Sequence, residues 1–291
     1  VPEPELIASC WTTAGDAAPQ RGDETSPFAL LDRIRAAGAA GWSGFGLVHA
    51  DLKAALTTLD YADIKGALDD AGLRHLELEF LGDWWTEGDR RSVSDEMRGE
   101  LFEAARALSP IHIKCAGDFS GGFVDDELLV REFRQLAEEA ADAGTRMALE
   151  ALPMTNFATI EAGQRFLSEV AHPAAGLCID IWHVYRGGTP IEELPAFVDP
   201  ATLFAVELND ARAAQPADLW IDTVDERMLP GEGEWDVAGF INVIRGLGFD
   251  GPWGVEILSA AHRARGLEEA LDAARSATLG EFARAEEALR G

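Results

Sequence analysis

Four carboxylates close four successive apolar runs of this chain. Glu150 follows Met147-Ala148-Leu149, Asp180 follows Leu177-Cys178-Ile179, Glu207 follows Phe204-Ala205-Val206, and Glu256 follows Gly254-Val255. A charge on a buried strand costs several kcal/mol unless it is paired or bound to a metal. One such acid could be an ion-pair partner. Four at one mouth are harder to explain that way, because basic residues near these strand ends are few: Arg146, Arg186, Arg212 and the more distant Lys114. The pattern points to a shared cation. All-oxygen ligation favours a hard ion, Mn²⁺ or Mg²⁺ rather than Zn²⁺. Four ionised carboxylates overcompensate a divalent charge, so one of them should carry a proton or turn toward a substrate. Such a group is a natural general acid or base.

Other side chains surround this set. His183 lies three residues after Asp180 and reads as a substrate-orienting group, with a surface or capping role as the alternative. His112 and Lys114 share one strand and, by alternation, one face. If that face is the lumen, Lys114 is a candidate base or oxyanion stabiliser; an ion pair with Glu150 or Glu79 is the equal alternative. Glu77 and Glu79 pose the same question. Trp84, Trp85 and Trp182 could wall a sugar-like ring, although core packing is the commoner fate of Trp.

The elements that must position these residues alternate. Apolar runs occur at Leu6–Cys10, Gly44–Val48, His75–Phe80, Ile111–Cys115, Met147–Ala151, Leu177–Ile181, Leu203–Leu208 and Trp253–Leu258. Each is short and nearly continuously apolar, as strands buried on both faces require. Helical spacing fills the intervals, most clearly over Asp125–Ala143, where Leu128, Leu129, Phe133, Leu136 and Ala140 recur before Gly144. Ser94–Leu108, Thr159–Val170, Asp236–Leu247 and Leu267–Leu289 read as helices too. Eight β–α units predict a single-domain α/β fold, a (β/α)8 TIM barrel over residues 1–291. No Gly-x-Gly-x-x-Gly follows the first strand, which removes the main signal of an open dinucleotide-binding sheet. The longest gap, Asn209–Gly251, falls after the seventh strand and therefore on the catalytic face of a barrel.

Composition narrows the partners. The 291 residues contain 24 basic and 52 acidic side chains, a formal charge of −28. Such a field repels phosphate backbones and anionic membranes, so a nucleic-acid partner is not expected. No apolar run is long enough to cross a bilayer. Residues Val1 to Glu5 lack the basic and apolar regions of a signal peptide. Cys10, Cys115 and Cys178 sit in apolar runs without metal-type spacing, so they read as reduced core thiols and predict a cytoplasmic location.

These segments together are familiar. Ala148-Leu149-Glu150-Ala151-Leu152-Pro153, Cys178-Ile179-Asp180-Ile181-Trp182-His183, Val206-Glu207-Leu208-Asn209-Asp210, and Leu229-Pro230-Gly231-Glu232-Gly233 followed by Gly248 to Glu256 resemble the xylose-isomerase-like TIM-barrel superfamily, the sugar phosphate isomerase/epimerase family. The resemblance implies a divalent metal held by Glu150, Asp180 and Glu256. Its fourth ligand position, usually His or Gln, is Glu207 here. The resemblance also implies that His183 contacts substrate, and it places Arg227, ahead of the Pro-Gly-Glu-Gly turn, where it could hold an anionic group. Association of like subunits is a further expectation.

The implied chemistry suits these residues. A metal on a carbonyl and its neighbouring hydroxyl lowers the cost of removing the proton between them and stabilises the ene-diolate. Glu150 and Glu256 would flank the substrate as base and acid, with Lys114 as a further catalytic candidate. The first expectation is a metal-dependent isomerase or epimerase of a sugar or related polyhydroxy ketone. The second is a lyase resembling 3-dehydroshikimate or inosose dehydratase, or the enzymes that eliminate from oxidised C-glycosides. A nuclease resembling endonuclease IV needs a His-rich three-zinc cluster, and this chain has six His in all and the wrong charge.

Overall fold

The computed structural model describes residues 3–121 and 125–290. Eight parallel strands close on themselves in sequence order. They are β1 (Leu6–Ala8), β2 (Gly44–Val48), β3 (His75–Leu81), β4 (His112–Ala116), β5 (Met147–Glu150), β6 (Ala175–Asp180), β7 (Leu203–Leu208) and β8 (Trp253–Val255). Leu6 pairs with Trp253 and Ala8 with Val255, which seals the barrel. The expected single-domain (β/α)8 architecture is what the chain adopts.

The strand ends differ in detail from the expectation. The first run stops at Ala8, because Cys10–Thr13 turns into a short helix. The last stops at Val255, so Glu256 stands one residue beyond its strand. The fourth and sixth are displaced by one or two residues. Apolar character continues past these ends because the first residues above each strand are also covered; Ile257 and Leu258 are both buried.

Helices form the outer layer by burying one stripe each. In Asp126–Asp142 the stripe is Leu129, Phe133, Leu136, Ala137 and Ala140, and Asp125 caps its start by accepting from the Glu127 amide. Burial of each large side chain in that stripe contributes roughly 1.5–3 kcal/mol. Thr159 caps Ile160–Val170 through the Ala162 amide. Trp84 and Trp85 belong to this core: Trp84 packs edge-on against Phe133 at 5.0 Å and donates to the Ala116 carbonyl. Of the two fates weighed for these tryptophans, core packing is the one observed for Trp84. Among the described residues no helix is long and apolar enough to cross a membrane.

Inside the barrel the usual layers of branched apolar residues give way to a polar column. Glu77 and Glu79 of β3, His112 and Lys114 of β4, and Glu207 of β7 are all buried and joined across the lumen. Alternation along β4 therefore does send His112 and Lys114 to one face, and that face is the lumen.

Candidate active site

The four carboxylates arrive at the carboxyl end of the barrel from consecutive strands. Glu150 and Asp180 are the last residues of β5 and β6, Glu207 lies in β7 opposite Asp180, and Glu256 follows β8. All four are at most 5% exposed. One oxygen each of Asp180, Glu207 and Glu256 lies within 4.8 Å of the others, and Glu150 and Glu207 form a similar group with Cys178.

Two buried cations share this space. Lys114 Nζ lies 2.7 Å from Glu207, 3.0 Å from Glu79, 3.4 Å from Glu256, 3.8 Å from Glu150 and 3.9 Å from Glu77. Arg227 Nη1 donates to Asp180 at 2.6 Å and to Glu256 at 3.0 Å. The Arg227 Nε and Nη2 groups donate to the Thr223 carbonyl and hydroxyl. Both alternatives weighed for Lys114 thus have geometry behind them: it faces the lumen, and it pairs with Glu79 as well as Glu207.

The carboxylates are not equivalent. Burial and the neighbouring Glu256 push Glu207 well above the carboxylate range, against the pull of Lys114. Burial, reinforced by Glu256, Glu77 and Glu150, raises Glu79 to about 8. Burial raises Glu256 too, with Lys114 and Arg227 opposing. Asp180 moves the other way. Burial works upward on it, but Arg227, His183 and the amide of Asn209 hold it down. Burial likewise opposes Lys114 and His112 at Glu77, and these two partners win, lowering it to about 2. Glu150 has no close partner: its oxygens lie 3.8 Å from Lys114 and 3.6 Å from His183 Nε2. Of the four strand-end acids it is the least engaged.

The donor set suits a divalent ion. Six carboxylates surround two cations, a formal excess of four negative charges. Burial pushes Glu79, Glu207 and Glu256 toward their neutral forms, which lessens that excess. A divalent cation would offset negative charge that remains, and hard oxygen ligands from Glu150, Asp180 and Glu256 match its preference. Both Asp180 oxygens already accept hydrogen bonds, Oδ1 from the Trp182 amide and Asn209 and Oδ2 from Arg227, which fixes the carboxylate's orientation.

A cavity of about 260 Å³ opens above this floor. Glu79, Glu150, Glu256, His183 and Arg227 line its base. His183 is 1% exposed and neither ring nitrogen makes a hydrogen bond within the protein, so its polar edge is available to a ligand. Trp182, expected at the substrate, is instead fully buried outside the lining: its indole N–H donates to Asp222, and its ring backs Arg227 at 5.5 Å. Helical periodicity explains this, since neighbouring residues in Ile181–Arg186 point in different directions and His183 takes the inward one.

The long connection after β7 reaches over the mouth, as its length implied. It delivers Trp220, Thr223, Val224 and Arg227 to the cavity. Asp210 organises it: its carboxylate accepts from the amides of Ala211, Gly231, Gly233 and Trp235. A Cβ at Gly233 would collide with that carboxylate, and Gly231 has φ +83°, so both glycines are required by the turn. Asp210 also pairs through its backbone with Met228, next to Arg227. Sequence reasoning missed this anchor, and missed Ser9, whose hydroxyl donates to Glu207 at 2.9 Å. A lone Ser beyond a strand end carries no distinguishing signal.

Known proteins share this plan. The chain is 28% identical over 254 residues to a 3-dehydroshikimate dehydratase of Pseudomonas putida, covering 81% of this chain. It spans 37% of the length of that relative. It is 24% identical over 203 residues to an inosose isomerase of Halalkalibacterium halodurans, covering 66% of this chain and 69% of the relative. A crystal structure of an IOLI protein with a bound zinc atom superposes with TM-score 0.82 at 19% identity, covering 96% of this chain and 98% of that one. The family model described as xylose isomerase-like TIM barrel matches residues 34–277. That match spans most of the barrel, and the chain belongs to this family.

Proposed function

We propose that this protein is a divalent-metal-dependent isomerase or epimerase that moves a proton beside the carbonyl of an uncharged, sugar-like polyhydroxy ketone. The observation that carries the reading is the convergence of Glu150, Asp180, Glu207 and Glu256 beneath a cavity whose base also presents the unpartnered His183. A bound divalent ion, Mn²⁺ or Mg²⁺ by its oxygen ligands, would polarise the carbonyl and the adjacent hydroxyl. Glu150, Asp180 and Glu256 would hold it. Glu150, the least engaged carboxylate, takes the proton from carbon. Glu256, raised by burial, returns one. His183 donates to or accepts from a substrate hydroxyl and fixes which carbon faces Glu150. Lys114 holds Glu207, Glu79 and Glu256 in place from below.

The dehydratases among the relatives support a second reading, loss of water from the same kind of enolised intermediate. The cavity speaks for the first. Among the described residues Arg227 is the one lysine or arginine that lines it, and each of its nitrogens already donates within the protein. A carboxylate substrate such as dehydroshikimate would find no free cation there. Incubation with Mn²⁺ and a neutral ketose or inosose in deuterated water separates the two. Deuterium gained at the carbon beside the carbonyl, with all oxygens retained, supports isomerisation or epimerisation. Loss of water would establish the lyase reading instead.

A further inference from the structure

The wall of the cavity is unlike its base. Above the carboxylates rises a collar of four aromatic side chains, Trp11, Phe80, Phe119 and Trp220, with the thioethers of Met97 and Met154 among them. They come from separate segments: Trp11 after β1, Phe80 in β3, Met97 in the helix Gly88–Leu108 that follows β3, Phe119 after β4, Met154 after β5 and Trp220 after β7, so they reach the cavity from several sides. Phe119 stays 43% exposed at its lip, the one aromatic ring among the large hydrophobic side chains left exposed in the described residues.

A plain polyol does not match this wall. Hydroxyls turned toward these rings and thioethers would lose water without gaining a partner, which costs about 1–3 kcal/mol apiece, and the polar side chains of the lining, Gln20, Glu24, His49 and Thr223, are left for the polyhydroxy part. A single ring can stack on a sugar face, but a collar closed on several sides by rings and thioethers suits an aromatic group, through edge and face contacts and sulfur–ring contacts. Resting on the isomerase reading for its polar end, we infer that the substrate is an uncharged polyhydroxy ketone carrying an aromatic ring on the side away from the reacting carbonyl. The ketone meets Glu150, Glu256 and His183, and the ring lies in the collar and covers Phe119. Among the described residues no lysine or arginine of the lining is left free, which extends the same logic: the substrate carries neither carboxylate nor phosphate.

Calorimetric titration of the Mn²⁺-treated protein with three ketoses tests this: one unsubstituted, one bearing a phenyl group at the carbon farthest from the carbonyl, and one bearing a carboxylate there. The phenyl ketose is expected to bind at least tenfold more tightly than the other two. In Phe119→Ser and Met154→Gln that ratio falls toward one. Equal binding of the phenyl and plain ketoses by the wild-type protein, a preference for the carboxylate, or an undiminished ratio in both variants would overturn the inference. Solvent deuterium exchange, read on the same compounds, judges the isomerase reading separately. Exchange with no phenyl preference removes the aromatic pocket and leaves the reaction; a phenyl preference without exchange does the reverse.

Discussion

Lys114 Nζ of β4 lies 2.7 Å from Glu207 Oε1 of β7, across the full width of the barrel lumen. The resemblance implies a neutral His or Gln at this strand-seven position. Here an acid stands in its place, and a buried lysine compensates it. Lys114 also reaches Glu79 and Glu256, so its removal leaves several buried carboxyl groups without their shared donor. Lys114→Met is expected to cost about 3–5 kcal/mol in urea unfolding, the range for breaking a buried pair. Adding Glu207→Gln should restore part of it, with a coupling energy of ~1 kcal/mol or more. Strict additivity of the two changes would show that they do not act as a pair.

Glu150 is the best-placed base because nothing nearer than 3.6 Å engages it. Glu150→Gln should lower turnover by about 10²-fold or more while circular dichroism stays unchanged. Full turnover in that variant would remove Glu150 from the chemistry.

Much of this arrangement was legible beforehand, for identifiable reasons. Parallel strands buried on both faces give unbroken apolar runs, so a carboxylate that interrupts one, as Asp180 does after Leu177-Cys178-Ile179, stands out. Lys114 was visible by the same rule, although its partner on β7 was not: a contact across the lumen joins residues 93 positions apart. Trp182 went the other way, because two adjacent helical residues look alike in sequence and only packing decides which one faces the ligand. The fixed role of Arg227 was hidden too. Its three donor nitrogens are consumed by Asp180 at the end of β6, Glu256 just beyond β8 and Thr223 in the helix that precedes it, so it ties carboxylates together rather than waiting for an anion.

Glu79 supplies a pH test. Burial raises it to about 8 from an ordinary 4.5. Between those values the folded chain holds a proton that the unfolded chain has lost, so stability from this group is complete below pH 4.5 and is lost as pH rises through about 8. Glu79→Gln keeps a neutral side chain at every pH. Its melting temperature should gain on that of the wild type by about 3 °C or more between pH 5 and pH 9. A constant difference over that range would show that Glu79 is already ionised at pH 5.

Asp210 makes a separate test of the loop. Its carboxylate holds four amides of the turn that carries Arg227 to the site. Asp210→Ala should cost about 2 kcal/mol and expose those amides. Hydrogen exchange at Gly231, Gly233 and Trp235 is expected to quicken by at least tenfold, with the amides of β4 and β5 unaffected. Equal protection in wild type and variant would assign the turn to another anchor.

The central claim is that the strand-end carboxylates Glu150, Asp180 and Glu256 form one divalent-cation site. Calorimetric titration of the purified protein with Mn²⁺ tests it most directly, with the Asp180→Asn/Glu256→Gln double variant alongside. The wild-type chain should bind one ion with measurable affinity and the folded double variant none. Absence of uptake by the wild type, or an unchanged isotherm in the variant, would contradict the claim.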